Sequence, residues 1–185
     1  MALVFSARLT DEVDLRSWDP VMAAPMVRAL NENRNHIRGW LSWPHDGYGL
    51  DDARWFIERQ LEVWARDGLM SVGIWRGEDL IGGVTPNSSR PGNKSVALGY
   101  WIAASEQGKG LVTGACRAVI DDLFAARSMH RIVINVHPEN VRSRRVPERL
   151  GFREEGTLRE AVCDDHGFHD WVVYAMLEDE WRARP

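Results

Sequence analysis

The sequence predicts an α/β (α+β) fold, with one mixed, mostly antiparallel, twisted sheet of about seven strands and helices on both faces. Three observations carry this. Apolar residues recur at helical spacing through the first third of the chain and then switch to a period of two near Leu69. A strand-forming run, Ser95 to Ala103, leads into the turn Gln107-Gly108-Lys109-Gly110 and then into Leu111, Ala115, Ala118, Val119, Leu123 and Phe124 at helical spacing. Beyond that helix, Ile132, Val133, Ile134 and Val136 form a buried strand. It can lie parallel to the Ser95–Ala103 strand through a right-handed crossover.

Taken in order, Leu3 to Trp18 predicts one or two short strands around Thr10-Asp11-Glu12. Asp19-Pro20 has the form of an N-cap followed by first-turn proline, opening a helix to about Asn33. Asn33 to Pro44 predicts a short second helix and a loop. Asp51 or Asp52 can cap a further helix carrying Trp55, Phe56, Ile57, Leu61 and Trp64 and ending near Asp67-Gly68. Leu69–Trp75 and Leu80–Thr85 flank Arg76-Gly77-Glu78-Asp79, a hairpin signature. Ser88 to Asn93 is expected as a polar loop. With Ser95–Ala103 this gives three antiparallel strands in a row. The helix from Leu111 runs to about Arg127, and Asn140 to Leu150 forms another, closed by Gly151. Phe152–Val162 and Trp171–Leu177 make a terminal hairpin around Asp164 to His169. No repeat, linker or low-complexity tract interrupts the chain, so residues 1–185 are expected to be a single domain.

Composition narrows the function. The net charge is −4 and the pI about 5.9, which offers no global basic field for nucleic acid. Arg142, Arg144 and Arg145 form a local cluster that suits a phosphorylated small molecule instead. The two cysteines, Cys116 and Cys163, are too few and too far apart for a disulfide scaffold or a thiolate metal site. No apolar run approaches the ~20 residues that span a bilayer. The residues from Met1 to Arg8 lack the basic start and apolar stretch of a signal peptide, so a cytoplasmic location is expected. Nine tryptophans cluster towards the first half, and Trp40 and Trp43 fall in a loop where they can wall a pocket.

The glycine turn carries the clearest chemistry. A helix start leaves backbone N–H groups without intrahelical partners, at the positive end of the helix dipole. That geometry receives a phosphate. Gly108 and Gly110 let the backbone bend towards the anion, and Lys109 adds a cation. An ordinary strand–helix turn that binds nothing has the same local pattern.

A second group of residues follows: Asn140-Val141-Arg142-Ser143, then Pro147-Glu148-Arg149-Leu150-Gly151-Phe152, then Glu155-Gly156. With Asn31-Glu32-Asn33, Trp40-Leu41-Ser42-Trp43-Pro44, Leu98-Gly99-Tyr100-Trp101 and the Gln-Gly-Lys-Gly turn, the whole chain resembles the GNAT acetyltransferase superfamily. Within it, the chain is similar to the RimJ/RimL-like ribosomal-protein N-acetyltransferase branch. The resemblance implies the GNAT fold, acetyl-CoA (CoA) as donor and an amine as acceptor. It implies that the pyrophosphate sits on the backbone amides of Gly108, Gly110, Leu111, Val112 and Thr113, with Gln107 and Lys109 also in the cofactor set. It also implies that the pantetheine lies in the gap where the two parallel strands, Tyr100–Ala103 and Arg131–Val136, splay apart, with Tyr100, Trp101, Ile102, Asn140, Ser143 and Arg144 in the cofactor set. Val112 stands where the family often has Gly or Ala.

For the departing thiolate, many relatives use a tyrosine at the position of Pro147, which rules that mechanism out here. The branch presents a serine matching Ser143, the expected general acid. Relatives often carry a glutamate at the position of Ala97. Its absence leaves Glu160, His137 or a water held by either as the base. His36, Trp40, Trp43 and Trp101 are expected to line the acceptor cleft. The acceptor is then a protein N-terminal α-amine of the ribosomal-protein type or a small-molecule amine. A non-catalytic acyl-CoA-binding module is the alternative. Acetyl-CoA and an amine acceptor are the expected partners, without nucleic acid or membrane, and with room for a homodimer. No metal is expected.

Overall fold

A computed structural model describes residues 5–41, 43–164 and 167–184. The first residues of the predicted N-terminal strand, Ser42 of the tryptophan loop and the tip of the terminal hairpin at Asp165 and His166 lie outside the described residues.

Among the described residues, eight strands form one hydrogen-bonded sheet: β1 (Ser6–Arg8), β2 (Val13–Ser17), β3 (Val72–Arg76), β4 (Asp79–Arg90), β5 (Ser95–Ile102), β6 (Arg131–Val136), β7 (Arg153–Asp164) and β8 (Gly167–Leu177). Their order across the sheet is β1-β2-β3-β4-β5-β6-β8-β7. The expected seven become eight because the N-terminal segment is two paired strands, Ala7 opposite Leu15. β5 and β6 are the parallel pair, joined through Ser95–Arg131, Val96–Ile132 and Ala97–Val133. Those three pairs are the whole ladder, although β5 runs on to Ile102 and β6 to Val136.

The helices are α1 (Ala23–Glu32), α2 (Arg34–Ile37), α3 (Leu50–Asp67), α4 (Leu111–Ala125), α5 (Val141–Arg149) and α6 (Glu178–Arg182). Asp19 caps as expected, accepting from the Val21 N–H at 2.9 Å, but what it caps is a 3-10 turn over Pro20–Met22. The cap of α3 differs slightly. Gly49 is the N-cap, and Asp52 reaches back from the first turn to accept the Gly49 N–H at 2.8 Å. Gly68 ends α3 in the left-handed region, φ +69°, where a residue without Cβ is favoured.

Two expectations are corrected. Ser88 to Asn93 is not all loop, because β4 continues to Arg90 and only Pro91–Asn93 turns. Backbone ladders sustain a strand through a polar stretch that side-chain pattern alone marks as loop. The terminal strands are likewise longer than the pattern predicts, and the short α6 after β8 was not anticipated.

The chain divides into two compact units, Met1–Thr85 with Tyr100–Ala118, and Pro86–Gly99 with Val119–Pro185. In the first, Trp18, Met26, Leu30, Ile37, Tyr48, Ile57, Trp75 and Trp101 pack as one apolar core. Trp18 closes it with a hydrogen bond from Nε1 to Ser71 Oγ at 2.9 Å. In the second, Ile120, Leu123, Ile132, Ile134, Leu150 and Tyr174 are fully buried. Burial of such side chains contributes about 1.5–3 kcal/mol each. No helix among the described residues is long and apolar enough to cross a membrane.

Candidate active site

The first unit holds the glycine turn. Gly108 and Gly110 sit at φ +76° and +77°, the left-handed region that disfavours any side chain. A Cβ built on either glycine meets nothing within 4 Å, so the backbone there faces open space. The first bond of α4 runs from the Gly114 N–H to Gly110 O at 3.0 Å. The amides of Leu111, Val112 and Thr113 therefore precede the ladder at the start of a 15-residue helix. Amides at a helix start beside open space have the geometry that receives a phosphate.

Lys109 is placed differently from a lone cation awaiting an anion. Its Nζ lies 3.1 Å from Glu106 Oε2, and the same oxygen accepts from Arg76 at 2.9 Å. Arg76 also pairs with Glu12. Glu106 is nearly buried, its side chain 10% exposed. The Arg76 guanidinium and then Lys109 hold its carboxyl below the usual carboxylate range, against the opposing effect of burial. Sequence reading missed Glu106, since its main partner stands on β3, 30 residues earlier.

The expected acceptor residues divide. His36 lies beside the turn, its Nε2 2.9 Å from the side-chain nitrogen of Gln107, which donates to it. One turn earlier, Asn33 Oδ1 accepts the Ala104 N–H at 2.9 Å. Trp40 is 42% exposed. Trp43 stacks on Phe56 with ring centroids 5.7 Å apart and planes 19° apart. Trp101 is a core residue, 8% exposed, and Gly83 leaves room for its indole nitrogen. Its neighbours Tyr100 and Ile102 are half-buried on β5.

In the second unit, β6 ends at Val136 and a tight turn follows. The Asn140 N–H donates to His137 O at 3.0 Å, and Asn140 Oδ1 accepts the Ser143 N–H at 3.1 Å. Asn140 is thus the N-cap of α5. Ser143, half-buried, sits in the first turn. Pro147, inside the same helix, has no N–H to offer the Ser143 carbonyl. The His137 ring packs against His169 of β8 at 4.9 Å between centroids, and its Nδ1 accepts the Glu139 N–H at 3.3 Å. Glu160 lies apart from this turn in sequence. It is exposed, at φ +51°, in a bulge of β7 where its N–H donates to Asp170 Oδ1 at 2.9 Å. Arg144 is engaged within the fold, its Nε donating to Tyr174 Oη at 2.9 Å and another nitrogen meeting Glu154 at 3.2 Å.

The chain is similar in sequence and in fold to known acetyltransferases. The acetyltransferase (GNAT) domain model matches residues 12–153. The chain is 30% identical to YdaF of Bacillus subtilis (strain 168), provisionally named a ribosomal N-acetyltransferase, over 97% of this chain and 99% of that one. It is 26% identical to the ribosomal-protein-serine acetyltransferase of Escherichia coli (strain K12), over 93% and 96%. The microcin C7 self-immunity acetyltransferase MccE, solved in complex with acetyl-CoA and AMP, superposes with a TM-score of 0.85 at 26% identity, covering 91% of this chain and 94% of that one. The chain belongs to the GNAT acetyltransferase family and is an acetyl-CoA-dependent N-acetyltransferase.

Proposed function

We propose that this enzyme acetylates the N-terminal α-amine of a protein, of the ribosomal-protein type, from acetyl-CoA held at the Gln107–Thr113 turn. The observation that carries the cofactor half is the pair of left-handed glycines facing open space at the start of α4. The acceptor half is supported by the relatives, which are named for ribosomal proteins. His36, Trp40 and Trp43 are the acceptor residues in this reading, and Tyr100 and Ile102 run beside the pantetheine.

Acetyl-CoA, when bound, supplies an activated acyl carbon on a thioester. The protein must then accept a proton from the amine, stabilise charge on the carbonyl oxygen and return a proton to the leaving thiolate. Backbone N–H groups of β5 take the carbonyl oxygen in this reading. Ser143 is the proton donor. His137 is favoured over Glu160 as the base, because it shares one hydrogen-bonded turn with Asn140 and Ser143. Residues 1–185 act as one acetyltransferase domain in this reading, in the cytoplasm, with acetyl-CoA and an amine-bearing acceptor as partners.

A panel of free N-terminal peptides, small amines and acetyl-CoA tests this. Transfer to the peptide α-amine is expected to exceed transfer to the small amines in kcat/KM. Preference for a small amine would reassign the acceptor and leave the cofactor reading intact.

A further inference from the structure

We propose that Glu106 is a positioning residue of the cofactor loop, holding Lys109 and the glycine turn in the form that the pyrophosphate meets. The inference rests on the cofactor reading above and goes beyond it, because no motif marks Glu106.

Glu106 lies in a 3-10 turn, Ala104–Glu106, directly before Gln107. A nearly buried carboxylate is retained only where partners compensate its lost hydration. Here one oxygen receives both Arg76 and Lys109. Arg76 is itself fixed by β3 and by Glu12, so it serves as the anchor. Lys109 is half-exposed, on a long flexible stem, and gains its fixed position from Glu106. The residues on either side are also tied, Ala104 through its backbone and Gln107 through its side chain. Asn33 Oδ1 holds the Ala104 N–H, and His36 accepts from Gln107. The turn is therefore held at three successive points, with the carboxylate in the middle. Acting through Lys109 and the loop, Glu106 lowers the cost of ordering the cradle when an anion arrives.

Steady-state kinetics and acetyl-CoA titration of the full chain test this with Glu106→Gln, Lys109→Met and the double variant. Glu106→Gln keeps shape and removes charge. The KM for acetyl-CoA is expected to rise about tenfold, the size of one charge-assisted hydrogen bond, while kcat stays within about twofold. Lys109→Met is expected to weaken binding in the native background and to add little in the Glu106→Gln background, because the two residues act as a unit. Unchanged KM in Glu106→Gln, or fully additive effects in the double variant, overturns the proposal. If Glu106→Gln does not fold, Glu106→Asp replaces it; a raised KM supports the positioning role and an unchanged one overturns it. Gly110→Glu separates the two levels. Should it also leave acetyl-CoA binding intact, the cofactor reading fails rather than the role of Glu106.

Discussion

Ser143 is the residue on which turnover depends in this account. Its N–H is held by the Asn140 cap, which fixes where the side chain leaves α5. Ser143→Ala removes the proposed proton donor and changes little volume. kcat is expected to fall by about 10²–10⁴-fold with the acetyl-CoA Kd nearly unchanged, as read by single-turnover kinetics and titration. An unchanged kcat would leave the serine with no more than its place in the first turn. Tyr174 offers a contrast, since its buried hydroxyl accepts from Arg144 and donates to Glu148 at 3.2 Å. Tyr174→Phe is expected to lose about 1 kcal/mol in urea denaturation and to leave the acetyl-CoA Kd alone. A weakened Kd instead would support Arg144 as part of the cofactor set.

At the scale of the element, the start of α4 and the turn before it are the proposed anion-binding unit. Acetyl-CoA should raise the melting temperature of the native chain by mass action. In Gly110→Glu the added carboxylate opposes the phosphate and the φ of +77° strains any side chain, so the shift should vanish in differential scanning fluorimetry. A full shift in a folded variant would put the cofactor elsewhere. The Glu106 anchor also predicts a pH dependence. Its folded pKa lies below the ordinary 4.5, so its contribution is present above about pH 4.5 and is lost as pH falls through the folded value. The stability gap between the native chain and Glu106→Gln should therefore close on acidification; a gap that widens towards low pH would contradict this sign. The turn itself was legible in the sequence, because glycines and helical spacing are local signals. Glu106 was not, because its burial depends on Arg76 from a distant strand. Trp101 is expected beside the acceptor from the sequence, and in the structure its ring is part of the core of the first unit. Tryptophan on a strand carries no local mark of which face it takes.

For the whole molecule, the parallel pair and most elements follow from periodicity, while the ends of β4, β7 and β8 depend on ladders that side-chain pattern does not report. The central claim is that this fold transfers an acetyl group to an amine rather than merely binding acyl-CoA. The most direct measurement is the initial rate of free-thiol release from acetyl-CoA against rising concentrations of a peptide with a free N-terminus. The same peptide blocked at its N-terminus serves as control, and the product is mapped by mass spectrometry. The account predicts saturable release that requires the free α-amine and leaves the acetyl group on it. Tight acetyl-CoA binding with equal or absent release for free and blocked peptides, and for a panel of small amines, would contradict it.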